Sequence, residues 1–136
     1  MIKILIIDNI LKDRTFIQNT LLQEGYHVFQ AENGNIGFMM ALKEKPDLII
    51  LEVVLPKLDG FEILEKLKKE TITTNIPVIF LSKKDKKEDF RNGMNAGAED
   101  YLLKPFHKED LIKARLIFLA CHSRNLALIF LELRQF

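Results

Sequence analysis

The sequence predicts a single α/β domain built on a doubly wound, five-stranded parallel sheet with helices on both faces. Three short runs, "IKILII" (2–7), "DLIILEV" (47–53) and "PVIFLS" (77–82), are continuously apolar and rich in branched aliphatics. That pattern suits strands covered on both faces rather than on one. The segments between them have helical length and period. Strand and helix alternate five times, which points to parallel strands joined by right-handed crossovers.

Each element follows in order. After the first strand, "KDRTFIQNTLLQEG" (12–25) places Phe16, Ile17, Leu21 and Leu22 on one side of a helix that stops at Gly25. "YHVFQA" (26–31) is a weaker strand. Asn33-Gly34 reads as a turn rather than a phosphate cradle, and "NIGFMMALKEK" (35–45) follows as a helix ending before Pro46. Phe38, Met39 and Met40 read as helix core rather than a cofactor box. After the strand at 47–53, "FEILEKLKKE" (61–70) sets Phe61, Ile63, Leu64 and Leu67 over a charged outer face. The fourth strand, 77–82, precedes "KEDFRNGMNAGAED" (87–100), with Phe90, Met94 and Ala98 four apart. "DYLLK" (100–104) is the weak fifth strand.

A chain of 136 residues is long enough for one domain with a proper core. With 48% hydrophobic and 29% charged residues its composition is that of a soluble globular protein. The formal net charge of +1 provides no long-range field for nucleic acid or an anionic membrane, so neither is expected as a partner. The run "KKDKKED" (83–89) reads as a solvated helix start. Cys121 is alone, which excludes an intramolecular disulfide and suggests no metal cluster. His27, His107 and His122 are dispersed and suggest neither a metal site nor a relay. "MIKILIID" is too short for a signal peptide, and "HSRN" (122–125) breaks the C-terminal apolar stretch, so a cytoplasmic location is expected.

In doubly wound sheets the functional crevice lies at the carboxyl ends of the strands. The residues closing these strands are Asp8 and Asn9, Glu52, Ser82 and Lys104. Glu52 ends a buried apolar run, where an unpaired carboxylate is costly to desolvate. It is therefore exposed at a strand tip, matched by a partner, or part of a site.

These residues resemble the receiver domain of two-component response regulators, from about Ile2 to Leu119. "ILIIDN" is similar to the family's first strand with its acidic pair, here Asp8 and Asn9. "PDLIILEVVLPKLDGFEIL" is similar to the phospho-acceptor strand and its loop, with Pro56, Asp59 and Gly60 in place. "IPVIFLS" ends at the Ser/Thr position, Ser82. "GAEDYLLKPF" has Tyr101 at the switch aromatic, Lys104 at the family's lysine, and a Lys104–Pro105 bond that is typically cis in the family. The resemblance implies a flavodoxin-like strand order, 2-1-3-4-5. It also implies that the side chain at position 52 accepts a phosphoryl group from a partner kinase's phosphohistidine. Asp8, Asn9, Glu52 and the backbone carbonyl of Val54 would hold Mg²⁺, which neutralises charge on the transferring group. Ser82 and Lys104 would bind the phosphoryl oxygens while Tyr101 turns inward.

Three positions depart from that pattern. Glu52 replaces the acceptor aspartate; its extra methylene moves the carboxylate outward by more than about 1 Å, and positional errors of that size can cost about 10²-fold in rate. Asn9 replaces an acid that ligates the metal, and Mg²⁺ gives up its water reluctantly to an amide, so any Mg²⁺ site is weak and no cofactor is required. Lys83 follows Ser82 where a small residue usually leaves room for the phosphodonor; a long cation there obstructs or caps the site. Four readings stay open. The crevice is a vestige, with Glu52 and Lys104 as an ion pair and Asp8 accepting backbone or serine hydrogen bonds. Alternatively, Glu52 partly resembles a phosphorylated aspartate and biases an active-like state, for which a closed Glu52–Lys104 pair with Tyr101 buried is the mark. In the third, Glu52 is a working phosphoacceptor; in the fourth, the altered crevice takes a small ligand. The reading adopted is an atypical, phosphorylation-independent receiver with no catalytic residues. It serves as a protein–protein module for a histidine kinase or a downstream effector rather than as an enzyme.

The receiver is expected to span 1–120, followed by a helical extension over 121–136. Ile112, Leu119, Leu126 and Leu133 recur every seven residues, with Leu116 and Phe130 in the complementary position and Ser123 interrupting it. An extended C-terminal helix that pairs two chains into a homodimer is the expectation; a helix folded back on its own domain, or the start of a linker, is the alternative.

Overall fold

The computed structural model describes residues 2–83, 92, 95–98 and 100–114. Its elements are β1 (Lys3–Ile7), α1 (Leu11–Gln23), β2 (His27–Ala31), α2 (Gly34–Glu44), β3 (Leu48–Glu52), α3 (Gly60–Lys69), β4 (Val78–Ser82) and β5 (Asp100–Leu103). The five strands form one parallel sheet in the order β2-β1-β3-β4-β5, as the resemblance implies.

Successive side chains of each strand point to opposite faces, and both faces are covered. On one, Leu5, Ile7, Ile49, Leu51, Val78 and Phe80 pack with Phe38 and Ala41 of α2 and with Ile63, Leu64 and Leu67 of α3. On the other, Ile4, Ile6, Leu48, Ile50, Ile79 and Leu81 pack with Ile17 and Leu21 of α1 and with Leu111 and Ala114 from a helical segment at 108–114. That double covering is why the strands read as unbroken apolar runs. Each large side chain buried this way contributes about 1.5–3 kcal/mol against the ordering entropy of the chain.

The helix ends show local causes. Gly25 takes φ 88°, a left-handed conformation that suits glycine, and its N–H donates to the Leu22 carbonyl at 3.0 Å to end α1. The Asn33 turn is the N-cap of α2: its side-chain oxygen accepts from the Ile36 N–H at 2.8 Å. Two packing expectations are corrected. Phe16 and Leu22 are 45% and 48% exposed and flank a buried stripe of Ile17 and Leu21, because one helical step turns a side chain about 100°. Met39, one step from buried Phe38, is exposed for the same reason.

Ala98 is buried, whereas the positions expected for Phe90 and Met94 lie outside the described residues. So do Leu119, Leu126 and Leu133 of the heptad pattern. Ile112, its first member, is buried within the single chain and is not available as an exposed seam residue. Among the described residues no helix is long and apolar enough to cross a membrane.

Candidate functional site

β1, β3, β4 and β5 bring their closing residues to one edge of the sheet. Glu52 and Ser82 are the last residues of β3 and β4, and Asp8 and Lys104 directly follow β1 and β5. The ladder fixes their depth: Glu52 stands opposite Leu81, and Ser82 opposite Leu103. The Lys104 N–H extends this pairing by donating to the Ser82 carbonyl at 2.7 Å, and the Lys104–Pro105 bond is cis. The loop after β3 is drawn tight by Gly60, whose N–H donates to the Val53 carbonyl at 2.7 Å. A Cβ at Gly60 would lie 2.5 Å from the Glu52 carbonyl oxygen, so only glycine permits this approach of α3 to the end of β3.

The Lys104 ammonium is the centre of the site. Its Nζ lies 2.6 Å from Asp8 Oδ2, 2.7 Å from Asp13 Oδ2 and 2.7 Å from Glu52 Oε2. The Lys104, Asp8 and Glu52 side chains are almost fully buried; that of Asp13 is 28% exposed. The second oxygens of two of these carboxylates are also occupied: Asp8 Oδ1 accepts from the Ile10 N–H at 2.9 Å, and Glu52 Oε1 from the Val54 N–H at 3.2 Å. Glu52 therefore does not project outward as its extra methylene suggested. The buried ammonium draws the carboxylate in, and the added reach is spent inside the crevice.

Three carboxylates face one ammonium, and the ionisation of the cluster reflects that imbalance. Burial raises the Glu52 pKa, and the Asp8 charge adds to the rise; the Lys104 hydrogen bond and charge and the Val54 N–H oppose it without cancelling it. Burial alone would lower the Lys104 pKa, but Asp13, Asp8 and Glu52 together hold it above the usual lysine range. Lys104 is thus a permanent cation at any physiological pH, while the Glu52 carboxyl is shifted toward its protonated form.

Asp8, Glu52 and Lys104 are brought into direct contact. Ser82 is fully buried beside them, and Tyr101 is 7% exposed with its ring centroid 6.1 Å from that of Phe80. Asn9, Val54, Lys83 and Pro105 are exposed, and of Val54 it is the N–H that engages Glu52. Asp13 was not singled out from the sequence. It stands in the first turn of α1, a helix whose N-cap, Ile10, makes no side-chain cap. A carboxylate there is favoured by the helix dipole, and here it also pairs with Lys104. An acid one helical turn into the element after an incomplete acidic pair was the signal available.

A divalent cation is not well matched by these groups. Mg²⁺ needs near-octahedral oxygen ligands, whereas Asp8, Asp13 and Glu52 converge on Lys104 Nζ and Asn9 is exposed. Among the described residues no group of three or more acidic, histidine or cysteine side chains is arranged to hold a metal ion.

With this geometry in hand, comparison with known proteins gives a consistent result. The family model for the response regulator receiver domain matches residues 4–115. Protein PilH of Pseudomonas aeruginosa is 39% identical over 113 residues, covering 83% of this chain and 93% of PilH. The DNA-binding dual master transcriptional regulator RpaA of Synechocystis is 38% identical over 82% of this chain, but the match spans only 46% of RpaA. The chain likewise spans about half the length of several other transcriptional regulators it matches, such as PhoP of Bacillus subtilis at 45%. Among solved structures, the chemotaxis response regulator CheY4 of Vibrio cholerae superimposes with a TM-score of 0.82 at 30% identity, over 88% of this chain and 99% of that one. The chain belongs to the response regulator receiver domain family, the signalling modules of two-component systems.

Proposed function

We propose that this receiver acts without being phosphorylated, as a protein–protein module whose crevice is satisfied by its own side chains. The observation that carries the reading is the closed Glu52–Lys104 pair at 2.7 Å together with a buried Tyr101. In a phospho-accepting receiver, as the resemblance implies, this lysine binds the phosphoryl oxygens. In this chain Lys104 already holds three carboxylates, so little is left for a phosphoryl group to gain. Asn9 and Glu52 support the same reading, since both weaken Mg²⁺ binding and in-line attack. Mimicry of a phosphorylated state is partial, because one carboxylate carries less charge than the roughly −1.5 to −2 of a phosphoryl group. The proposed partners are proteins, a histidine kinase or a downstream effector, with no cofactor required and at most weak Mg²⁺ binding.

The test is direct. Incubation with Mg²⁺ and acetyl phosphate, followed by intact-mass measurement, is expected to leave the protein unmodified; a stable phosphoryl adduct on Glu52 would sink the proposal. Glu52→Asp is expected to restore Mg²⁺ affinity only in part, and Glu52→Asp with Asn9→Asp to restore more. Full recovery from the single change would show that Asn9 carries no weight.

A further inference from the structure

Beside the ion cluster, between the first turns of α1 and the segment after β5, lies a cavity of about 430 Å³. That is within the roughly 300–1,000 Å³ typical of small-molecule sites. Its apolar wall is aromatic. Phe16 and Phe106 line it, with ring centroids 5.9 Å apart and planes at 62°, and Pro105 continues the surface. Phe16 is 45% exposed, so part of its ring is accessible from this cavity.

The charged lining is divided. Lys104 and Asp13 face the cavity but are already paired with each other at 2.7 Å. Lys12 and Lys83 also line it, are exposed, and make no ion pair among the described residues. The cavity therefore offers an aromatic wall and two ammonium groups without an ion pair among the described residues. Its size suits a small ring compound, and an edge-to-face aromatic pair suits a flat ring.

We propose that this cavity binds a small aromatic anion, with its ring against Phe16, Pro105 and Phe106 and its charge met by Lys12 and Lys83. Two ammonium groups favour a dianion, so an aryl phosphate is preferred over an aryl carboxylate. Lys83, which departs from the receiver pattern, thereby has a positive role as a ligand contact. The site does not depend on whether Glu52 can be phosphorylated, and its test needs neither Mg²⁺ nor a phosphodonor.

The probe is 1-naphthyl phosphate, titrated into the full chain and followed by its own fluorescence anisotropy, which is clean because the protein has no tryptophan. Saturable binding with a dissociation constant below about 1 mM is expected. Inorganic phosphate and 1-naphthol, each lacking half of the recognition, should compete at least ~10-fold more weakly, and 1-naphthoate should fall between them and the probe. Lys12→Ala with Lys83→Ala changes only exposed residues, and should weaken the probe at least ~10-fold while leaving the melting temperature in place. Phe16→Ala should weaken it by a smaller factor. Absence of saturation in the wild type would overturn the proposal, as would wild-type affinity in the double-lysine variant or 1-naphthoate binding more tightly than the phosphate.

Discussion

Lys104 shows how one residue decides the chemistry of a site. A buried ammonium among three carboxylates is stable only as a set, because removing one member leaves the others desolvated and uncompensated. Lys104→Met is therefore expected to lower the unfolding free energy by about 3–5 kcal/mol in urea titrations. The loss should be smaller at acidic pH, where Glu52, whose pKa is raised, takes up a proton. Glu52 makes a pH prediction whose sign is fixed by its raised pKa. Between the unfolded value near 4.5 and the higher folded value, the native state binds more protons than the unfolded state. Stability therefore falls as pH rises through that window, by at most about 1.4 kcal/mol per pH unit. Glu52→Gln should remove this component, so the wild-type-minus-variant difference isolates it from the remaining carboxyls. Asp8, Glu52, Ser82 and Lys104 were legible in the sequence because each closes a strand, and strand ends share one edge. Asp13 was not, because it reaches the site from a helix; which way a first-turn side chain leans depends on how α1 docks, and no strand pattern encodes that.

At the scale of elements, the β3–α3 connection is the most constrained part of the fold. Gly60→Ala would press a methyl group onto the Glu52 carbonyl and the Val53 Cα, at 2.5 and 2.8 Å. Because both contacts are backbone, the end of β3 must shift, and a loss of at least ~2 kcal/mol with altered Glu52 geometry is expected. Lys57, three residues earlier, has φ 69°, the left-handed region that favours glycine. Lys57→Gly should therefore stabilise the protein by up to ~1 kcal/mol, a gain partly offset by the greater freedom of glycine in the unfolded chain. The strands and the inward face of α3 were readable because their patterns are strong and their neighbours lie on both sides. α1 was harder: Phe16, Ile17, Leu21 and Leu22 subtend more of the helix than the sheet can cover, so the buried pair could not be picked out by hydrophobicity alone. The exposed Phe16 then becomes part of the aromatic wall beside Phe106.

At the scale of the molecule, the sheet joins two cores, and the ion cluster ties their elements together. Asp8 follows β1, Glu52 ends β3, Lys104 follows β5 and Asp13 belongs to α1, so one ammonium links three strands of the sheet to a helix on one of its faces. On the proposed reading, a phosphoryl group would have to displace carboxylates that Lys104 already holds. The repeat of Leu119, Leu126 and Leu133 adds a separate expectation of self-association. Light scattering should show a dimer that becomes monomeric with Leu126→Glu and Leu133→Glu, and a monomeric wild type would refute it. The state of the receiver itself is best read from amide spectra of ¹⁵N-labelled protein, recorded with and without Mg²⁺ and beryllofluoride. The Tyr101 and Lys104 amides should stay in place in the wild type and move in Glu52→Asp with Asn9→Asp. A saturable shift of those amides in the wild type would contradict a self-satisfied crevice.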